Sequence, residues 1–241
     1  ASSGDIYTSM ETGSSYSQRI NVDVMGFAEH KFNKKFQIKG MLGWSINDNY
    51  SESKSVSAGQ LEIDDLFNLS NRVGELSGGN SWSQTRQQSI YGSIDLSMLG
   101  WIYLQLTGRN DWTSILSPSN WSFFYPGANM SIMLSDALPA IKNNKYLSYL
   151  KLRGTIAKIG SVNISAYELD DLAYKNSAFP YGSLTGYYIS RALRNSNIKP
   201  EFTTEYEIGV ELGLLKDRIV FEAAAYHQKT TDQTVSISLP I

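Results

Sequence analysis

The chain has 241 residues, with 23 acidic and 21 basic side chains and no cysteine. The lack of cysteine excludes disulfide bridges, thiolate metal sites and a cysteine nucleophile, and the net charge of -2 gives no electrostatic basis for nucleic-acid binding. No run approaches the roughly 20 apolar residues of a membrane helix, so a membrane location would require β-strands.

Two strands are predicted near the start of the chain. Residues 16–29 alternate between apolar side chains such as Ile20 and polar ones such as Arg19, and residues 35–46 alternate in the same way. A period of two places the two sets on opposite faces of a strand. A short turn over 30–34 joins the two strands.

A polar segment over 47–83, rich in serine, asparagine, glycine and acids, is predicted to be a long loop. Alternation resumes over 84–97 and 101–109, and a short turn at 98–100 separates these two strands. Residues 110–124 are predicted to form a second long loop.

The second half of the chain continues this arrangement. Strands are predicted over 125–135 and 149–159, with a connection of moderate length between them. A third long loop, rich in tyrosine, serine and asparagine, is predicted over 160–202. The chain then closes with a hairpin of two long strands.

The final hairpin has the clearest pattern. Over 204–214 every second residue is apolar or aromatic, and after a tight turn at 215–217 the second strand alternates from Arg218 onward. One face is therefore wholly apolar and the other polar. The acidic residues of the polar face, predicted to face a barrel lumen, are Glu205, Glu207, Glu211 and Glu222.

Long and short connections alternate along the predicted strands, which places all the long connections at one end. Outer-membrane barrels have short periplasmic turns and long extracellular loops, whereas a Greek-key sandwich has no such requirement. Aromatic residues also gather near both strand ends, as two membrane interfaces favour. Those near the long-loop end are Trp44, Trp121, Phe123, Phe124 and Tyr125. We predict an all-β, antiparallel transmembrane β-barrel.

Aromatic side chains in the predicted loops are suited to stacking on sugar rings or to contacting a partner protein. Interface anchoring and loop packing explain them equally well. These candidates for substrate or partner contact are Trp112, Trp121, Tyr181, Tyr187 and Tyr188.

No pattern points to catalysis or to a cofactor. His30 and His227 are far apart in sequence, and turn and strand-end positions explain them better than a metal site does. The glutamates of the final hairpin fit a polar lumen wall better than a glycosidase pair. The acidic pairs at 64–65 and 170–171 leave calcium binding by the loops open beside solvated charge. We predict no enzymatic activity, no cofactor and no resident metal.

Four stretches together resemble a known family. Residues 101–114 (WIYLQLTGRNDWTS), 123–135 (FFYPGANMSIMLS), 147–160 (LSYLKLRGTIAKIG) and 195–232 are similar, in order and spacing, to successive barrel motifs of the SusC/RagA-type TonB-dependent outer-membrane transporters of Bacteroidetes. The resemblance covers about residue 89 to the end. It departs at loop edges, where Ser196 replaces the proline of the family's N-P-N-L-K-P-E pattern and Ser161 follows Gly160 in place of asparagine.

The resemblance implies a barrel of 22 strands, of which this chain would supply a segment of eight or nine. It also implies TonB-dependent import of an oligosaccharide or a peptide across the bacterial outer membrane. A SusD-like surface lipoprotein would cover the barrel, and TonB would act through a plug. We recognise neither plug nor TonB box within the 241 residues, so we expect the whole chain to be barrel.

Two alternatives stay open on the sequence. One is a small complete barrel of about eight strands with an adhesin or structural role, whose narrow lumen would be packed with side chains. The other is a soluble β-sandwich that binds carbohydrate. A requirement for detergent separates the sandwich from both barrels. The substrate and the oligomeric state are not indicated.

Overall fold

A computed structural model of the chain describes residues 8–142, 144–176, 184, 186–189 and 194–237. Antiparallel strands dominate it, and two single-turn helices lie between the fifth and sixth strands. The elements are β1 (Met10–Asn33), β2 (Phe36–Ala58), β3 (Ser77–Met98), β4 (Ile102–Thr113), β5 (Ser122–Met133), α1 (Leu134–Ala137), α2 (Pro139–Lys142), β6 (Leu147–Ser161), β7 (Ala173–Asn176), β8 (Gly186–Ile189), β9 (Glu201–Leu214) and β10 (Ile219–Thr231). In the described part of the chain, neither helix is long and apolar enough to cross a membrane.

Eight of the strands form one sheet in the order β1-β2-β3-β4-β5-β6-β9-β10. Each strand therefore pairs with its neighbour in sequence, apart from β7 and β8, which form a separate two-stranded sheet. Within the described residues β1 and β10 are the two edges of this eight-stranded sheet. This arrangement does not have the two layers of the soluble sandwich that the sequence left open.

The chain divides into two compact units. The first comprises Ala1–Asn21 with Asn47–Arg86, and the second comprises Val22–Ile46 with Gln87–Ile241. The first unit thus holds residues 10–21 of β1, 47–58 of β2 and 77–86 of β3 with the connection 59–76, and the second holds the remaining strand residues.

In the second unit the alternation of apolar and polar residues gives the sheet two different faces, as expected from the sequence. Ile208 pairs with Ala225 on β10 and with Gly154 on β6, whereas Glu207 pairs with Tyr226 and Thr155. One face of the sheet is consequently apolar and the other polar. The apolar face is not covered by any part of the described chain, because Ile208 is 70% exposed, Leu42 67% and Phe221 53%.

Neighbouring short connections contact one another. The Leu99 N–H donates to Lys35 O at 2.6 Å, and the Leu215 N–H donates to Tyr146 O at 2.8 Å. Three residues, 99–101, connect β3 to β4, and the Trp101 N–H donates to Met98 O at 3.2 Å. The two central residues of this turn, Leu99 and Gly100, both have positive φ, at 58° and 81°, as the right-handed twist of a hairpin favours. The short connections of the second unit therefore lie at a common end of the strands, as predicted.

The strands run further towards the long connections than the alternation predicts. The expected loop over 47–83 is largely strand, because β2 continues to Ala58 and β3 begins at Ser77. Likewise the expected loop over 110–124 shortens to 114–121, since β4 ends at Thr113 and β5 begins at Ser122. The segment expected as loop over 160–202 contains β7 and β8.

The difference has a physical reason. The added segments, such as 47–58, are polar on both faces, so neither face needs to be dry. Backbone hydrogen bonds between neighbouring strands hold such a strand in the sheet even though it has no apolar face. Its sequence then shows no alternation of apolar and polar residues from which a strand could be predicted. In the first unit Gly13 and Gly78 show how closely the ladder packs. A Cβ added at Gly78 would lie 2.5 Å from Ser55 O.

Candidate functional site

The polar face of β6, β9 and β10 carries a network of charged side chains. Glu211 lies opposite Lys151 on one side and opposite Glu222 on the other. The Lys151 Nζ is 3.3 Å from the Glu211 carboxylate, while Arg153 pairs with Glu207 at 3.1 Å and also with Glu222. Directly opposed carboxylates destabilise a strand pair, so the two cations offset the repulsion between Glu211 and Glu222.

Glycines on the same face let long side chains cross a strand. A Cβ at position 209 would lie 2.7 Å from Arg153 Nε, so the glycine allows the guanidinium to pass over β9. Tyr91 crosses Gly43 in the same way and donates its hydroxyl to Asp23 on β1. The polar face is thus tied together across strands that are not direct neighbours.

A chain of amide and carboxylate groups continues the polar face on β3, β4 and β5. The Gln105 Nε2 donates to Asp95 at 2.8 Å, and the Asn129 Nδ2 donates to Gln105 at 3.2 Å. These groups line a hollow of about 630 Å³ that also includes Lys39 and Arg153. Its polar lining suits water-soluble material rather than lipid.

A buried carboxylate anchors the end of this face near the long connections. Asp111, only 3% exposed, accepts hydrogen bonds from Gln87 Nε2 at 2.9 Å, Arg109 Nε at 2.8 Å and Tyr125 Oη at 2.7 Å. Arg109 also donates to Ser89 Oγ at 2.8 Å. The charge is buried and fully partnered, as a charge removed from water requires.

Sequence reasoning missed this cluster. The alternation predicts a strand that stops at Arg109 and a loop over 110–124, which places Asp111 in the loop. The available signal was an arginine and an aspartate two residues apart, which share one face if the strand continues. A longer β4 would have placed both beside Tyr125 on the next strand.

Hydrogen bonds also join two of the long connections. The Asn120 Nδ2 donates to Asn197 Oδ1 at 2.9 Å and to Ile198 O at 3.1 Å. The first connection, 114–121, is thereby fixed to the N-S-N-I-K-P-E segment that precedes β9. These connections accordingly lie at the same end of the second unit.

The predicted contact aromatics lie in separate places. Trp112, half-buried, lies in β4, and Trp121, half-exposed, is the last residue of the 114–121 connection. Tyr187 and Tyr188 lie exposed on β8, where Tyr188 stacks on Tyr174 of β7 with ring centroids 5.6 Å apart. Tyr181 lies outside the described residues. The role of these residues in binding stays a prediction.

The aromatic belt at the long-connection end needs correction. Tyr125 bonds to Asp111 and stacks with Phe123, with ring centroids 6.1 Å apart, so this tyrosine belongs to the polar face. Phe123 is buried, whereas Phe124 is exposed. The alternation of strand residues separates these adjacent phenylalanines, so they do not anchor to one interface together.

The four glutamates share one face as expected. Glu205, Glu207 and Glu211 alternate along β9, Glu222 joins them from β10, and Gln228 donates to Glu205. That this face lines a lumen stays a prediction. His30 packs edge-on against Phe32, with ring centroids 4.5 Å apart. Among the described residues no group of three histidine or acidic side chains has metal-binding geometry.

The comparisons with known proteins agree with this geometry. The family described as "TonB dependent receptor-like, beta-barrel" matches residues 2–241. The chain is 30% identical over 162 residues to the TonB-dependent receptor SusC of Bacteroides thetaiotaomicron, covering 64% of this chain and 16% of that protein. It is 27% identical over 153 residues to the TonB-dependent receptor P26 of Formosa agariphila, covering 63% of this chain and 15% of that protein.

Solved structures show the same fold. The structure of the RagAB peptide transporter matches 95% of this chain and 26% of its own, with a TM-score of 0.82 and 19% identity. The RagAB peptide importer in its open-open state matches with a TM-score of 0.84 and 18% identity. The chain spans 15–16% of the length of the two curated relatives named above.

Proposed function

Because the chain belongs to the TonB dependent receptor-like, β-barrel family, we propose that its sheet is part of the wall of an outer-membrane barrel that imports a nutrient. The exposed apolar face of the second unit carries this proposal. A sheet must cover an apolar face, and the described chain leaves Ile208, Leu42 and Phe221 uncovered. Lipid on that face and water on the charged face would satisfy both.

The polar face is proposed to line the lumen. Its carboxylates, guanidinium and amides are already joined by hydrogen bonds and ion pairs, which gives a rigid, hydrated wall. Nothing in this arrangement resembles an activated nucleophile or a positioned acid–base pair, so we assign transport without covalent chemistry. The long connections, including 59–76 and 114–121, are proposed to lie outside the cell and the short turns to face the periplasm.

We base the proposed partners and substrate class on the relatives. Two of them are TonB-dependent receptors, and the RagAB structures are those of a peptide transporter. We propose import of an oligosaccharide or a peptide, energised by TonB through a plug, with a SusD-like lipoprotein over the barrel. Trp112, Trp121, Tyr187 and Tyr188 are the proposed contacts to substrate or lipoprotein, with Tyr181 as a further candidate in sequence.

Uptake in the native cells tests the proposal. Deletion of the receptor gene is expected to abolish uptake of one class of labelled oligosaccharide or peptide, and deletion of TonB is expected to have the same effect. Trp121→Ala and Tyr187→Ala should reduce uptake without loss of receptor from the outer membrane, whereas Tyr146→Ala, at the short-connection end, should not. Unchanged uptake in the deletion strain over both substrate classes would refute the transport assignment.

A further inference from the structure

Two glycines on the apolar face of the second unit have no internal explanation. Gly26 lies in β1 and Gly40 in β2, and glycine weakens a strand interior. Neither has positive φ, which among the described glycines is confined to Gly74 and Gly100. Backbone conformation therefore does not require glycine at either position.

Packing within the chain does not require these glycines either. A Cβ at Gly40 would meet nothing within 4 Å, and one at Gly26 would meet only Leu42 O at 4.0 Å. The polar-face glycines differ, because Arg153 occupies the space over Gly209. A strand glycine often marks a bulge, a bend, or a place where a ligand or another backbone approaches closely, and the open space above Gly26 and Gly40 leaves room for such a ligand.

The space above these glycines is part of a large apolar hollow. Its volume is about 1090 Å³, slightly above the range of roughly 300–1,000 Å³ that small-molecule sites cover. Gly92 and Gly108 pair directly across β3 and β4 and deepen it. The side chains that wall the hollow include Val24, Leu42, Trp44, Ile94, Leu106 and Phe124.

We propose that this hollow binds a fatty acyl chain of a membrane lipid. None of the residues that line the hollow is charged. The side-chain amide of Asn110, which also lines it, already donates to Ser122 Oγ at 3.0 Å. A protein segment laid there would bring backbone groups that need hydrogen-bond partners. A hydrocarbon chain brings none. The site rests on the proposed membrane orientation of the apolar face.

Photolabelling tests the site with the intact receptor in phospholipid vesicles. A phospholipid that carries a photoreactive diazirine in its acyl chain is added, and adducts are mapped by peptide mass spectrometry. Adducts at β1–β4 are expected to exceed those around Ile208 on β9 by about fivefold, the ratio that corresponds to roughly 1 kcal/mol of preferential binding.

Filling the hollow should remove the preference. Gly40→Leu and Gly26→Leu place side chains in open space, so each is expected to reduce the adducts at β1–β4 to the level at Ile208. Gly79→Leu is the matched control, because a Cβ at Gly79 also meets nothing within 4 Å but lies in the first unit. Its labelling should equal that of the wild type, and thermal unfolding reports whether each variant is folded.

The outcomes separate this site from the proposed function. Equal labelling at Ile208 and at β1–β4 in the wild type would overturn the acyl-chain site and leave the membrane orientation standing. Labelling at Ile208 with none at β1–β4 would mean that protein covers the hollow, which also overturns the site. An absence of labelling over the whole apolar face would overturn the membrane orientation itself.

Discussion

The two units use the same strands in different ways. In the second unit each strand has an apolar and a polar face, and the apolar side chains remain exposed for an outside environment to cover. In the first unit polar residues predominate on both faces of the strands, and the buried side chains among its described residues, Ala58, Leu61 and Asn71, belong to β2 and the connection after it. Strands paired by the same kind of backbone hydrogen bonds therefore have one apolar and one polar face in the second unit, and two polar faces over most of the first unit.

The comparison shows what a hydrophobic period reports. Alternation records that one face of a strand is dry and the other wet, and it does not record the hydrogen bonding of the strand itself. In the second unit the effect of a substitution on stability is predicted from the face on which the residue lies. In the first unit it is predicted from the hydrogen bonds that the substitution removes.

The largest expected effect is a charge on the apolar face. Ile208→Arg, near the middle of β9, is expected to destabilise the inserted barrel by about 2–4 kcal/mol, the cost of arginine near the bilayer centre. Heat-modified mobility of the full receptor on gels would measure the loss of folded barrel. Glu207→Gln is the matched control on the opposite face and should assemble normally. Equal assembly of both variants would refute the assignment of the two faces.

The second effect concerns the buried carboxylate of the second unit. Asp111→Asn removes the charge that accepts from Gln87, Arg109 and Tyr125, and leaves the guanidinium of Arg109 without its counter-ion. We expect a loss of about 1–3 kcal/mol, because a buried partner is left unsatisfied. Unfolding in detergent by guanidinium chloride measures it. A midpoint equal to that of the wild type would show that the cluster carries no stability.

The sequence predicts the second unit well for a stated reason. In β9 and β10 the alternation of Tyr206, Ile208 and Val210 with glutamates defines the two faces and the hairpin, although the turn spans 215–218 rather than the predicted 215–217 and β10 begins at Ile219 rather than at Arg218. The ion pairs were not predictable, because Arg153 reaches Glu222 only by crossing Gly209. That contact depends on strand order and register, which a single strand's pattern does not contain.

In the first unit sequence reasoning recognised polarity and misjudged structure. The segment 47–83 has no apolar period, so its strands were predicted as loop. Asn71 was equally unpredictable. Its side chain donates to Ile63 O and Leu66 O, both at 2.8 Å, and accepts from the Ile63 N–H at 3.1 Å. The three bonds fold the connection 59–76 around one amide, and nothing in the local sequence distinguishes that asparagine from its neighbours.

A third prediction tests this role of Asn71. Asn71→Ala removes the amide from a site that is nearly inaccessible to solvent, and we expect a local loss of about 1–2 kcal/mol, since buried backbone groups lose their partners. Protease cleavage within 59–76 on intact cells should accelerate, while the assembly of the barrel should be unchanged. Asn68→Ala, which removes exposed bonds to Ser70, is the control and should have a smaller effect. Equal cleavage in both would contradict the central role of Asn71.

The smallest expected effect concerns the ion pair between Asp48 and Arg86 in the first unit, which corresponds to the pair between Asp111 and Arg109 in the second. Asp48 accepts from Gln84 at 3.0 Å and from Arg86 Nε at 2.7 Å, and these hydrogen bonds, first from Gln84 and then from Arg86, lower the pKa of Asp48 below its ordinary value. A lowered folded-state pKa adds stability that is present above the ordinary pKa of aspartate and is lost as the pH falls through the folded value. The pair is exposed on its arginine side, so Asp48→Asn should weaken β2–β3 pairing only slightly, as solvent screening leaves little of such an interaction.

Hydrogen exchange at 47–58 and 77–86 measures this effect, with wild type and Asp48→Asn compared at each pH so that the intrinsic exchange rate cancels. The difference in protection should be small and constant near neutral pH, should begin to fall as the pH drops below the ordinary pKa of aspartate, and should disappear once the pH is below the lowered folded-state pKa of Asp48. A difference as large as that of Asp111→Asn would mean that the outer parts of β2 and β3 are enclosed by other protein. The contrast between strands with two polar faces in the first unit and strands with one apolar face in the second would then no longer explain why apolar and polar residues alternate most clearly in the second unit.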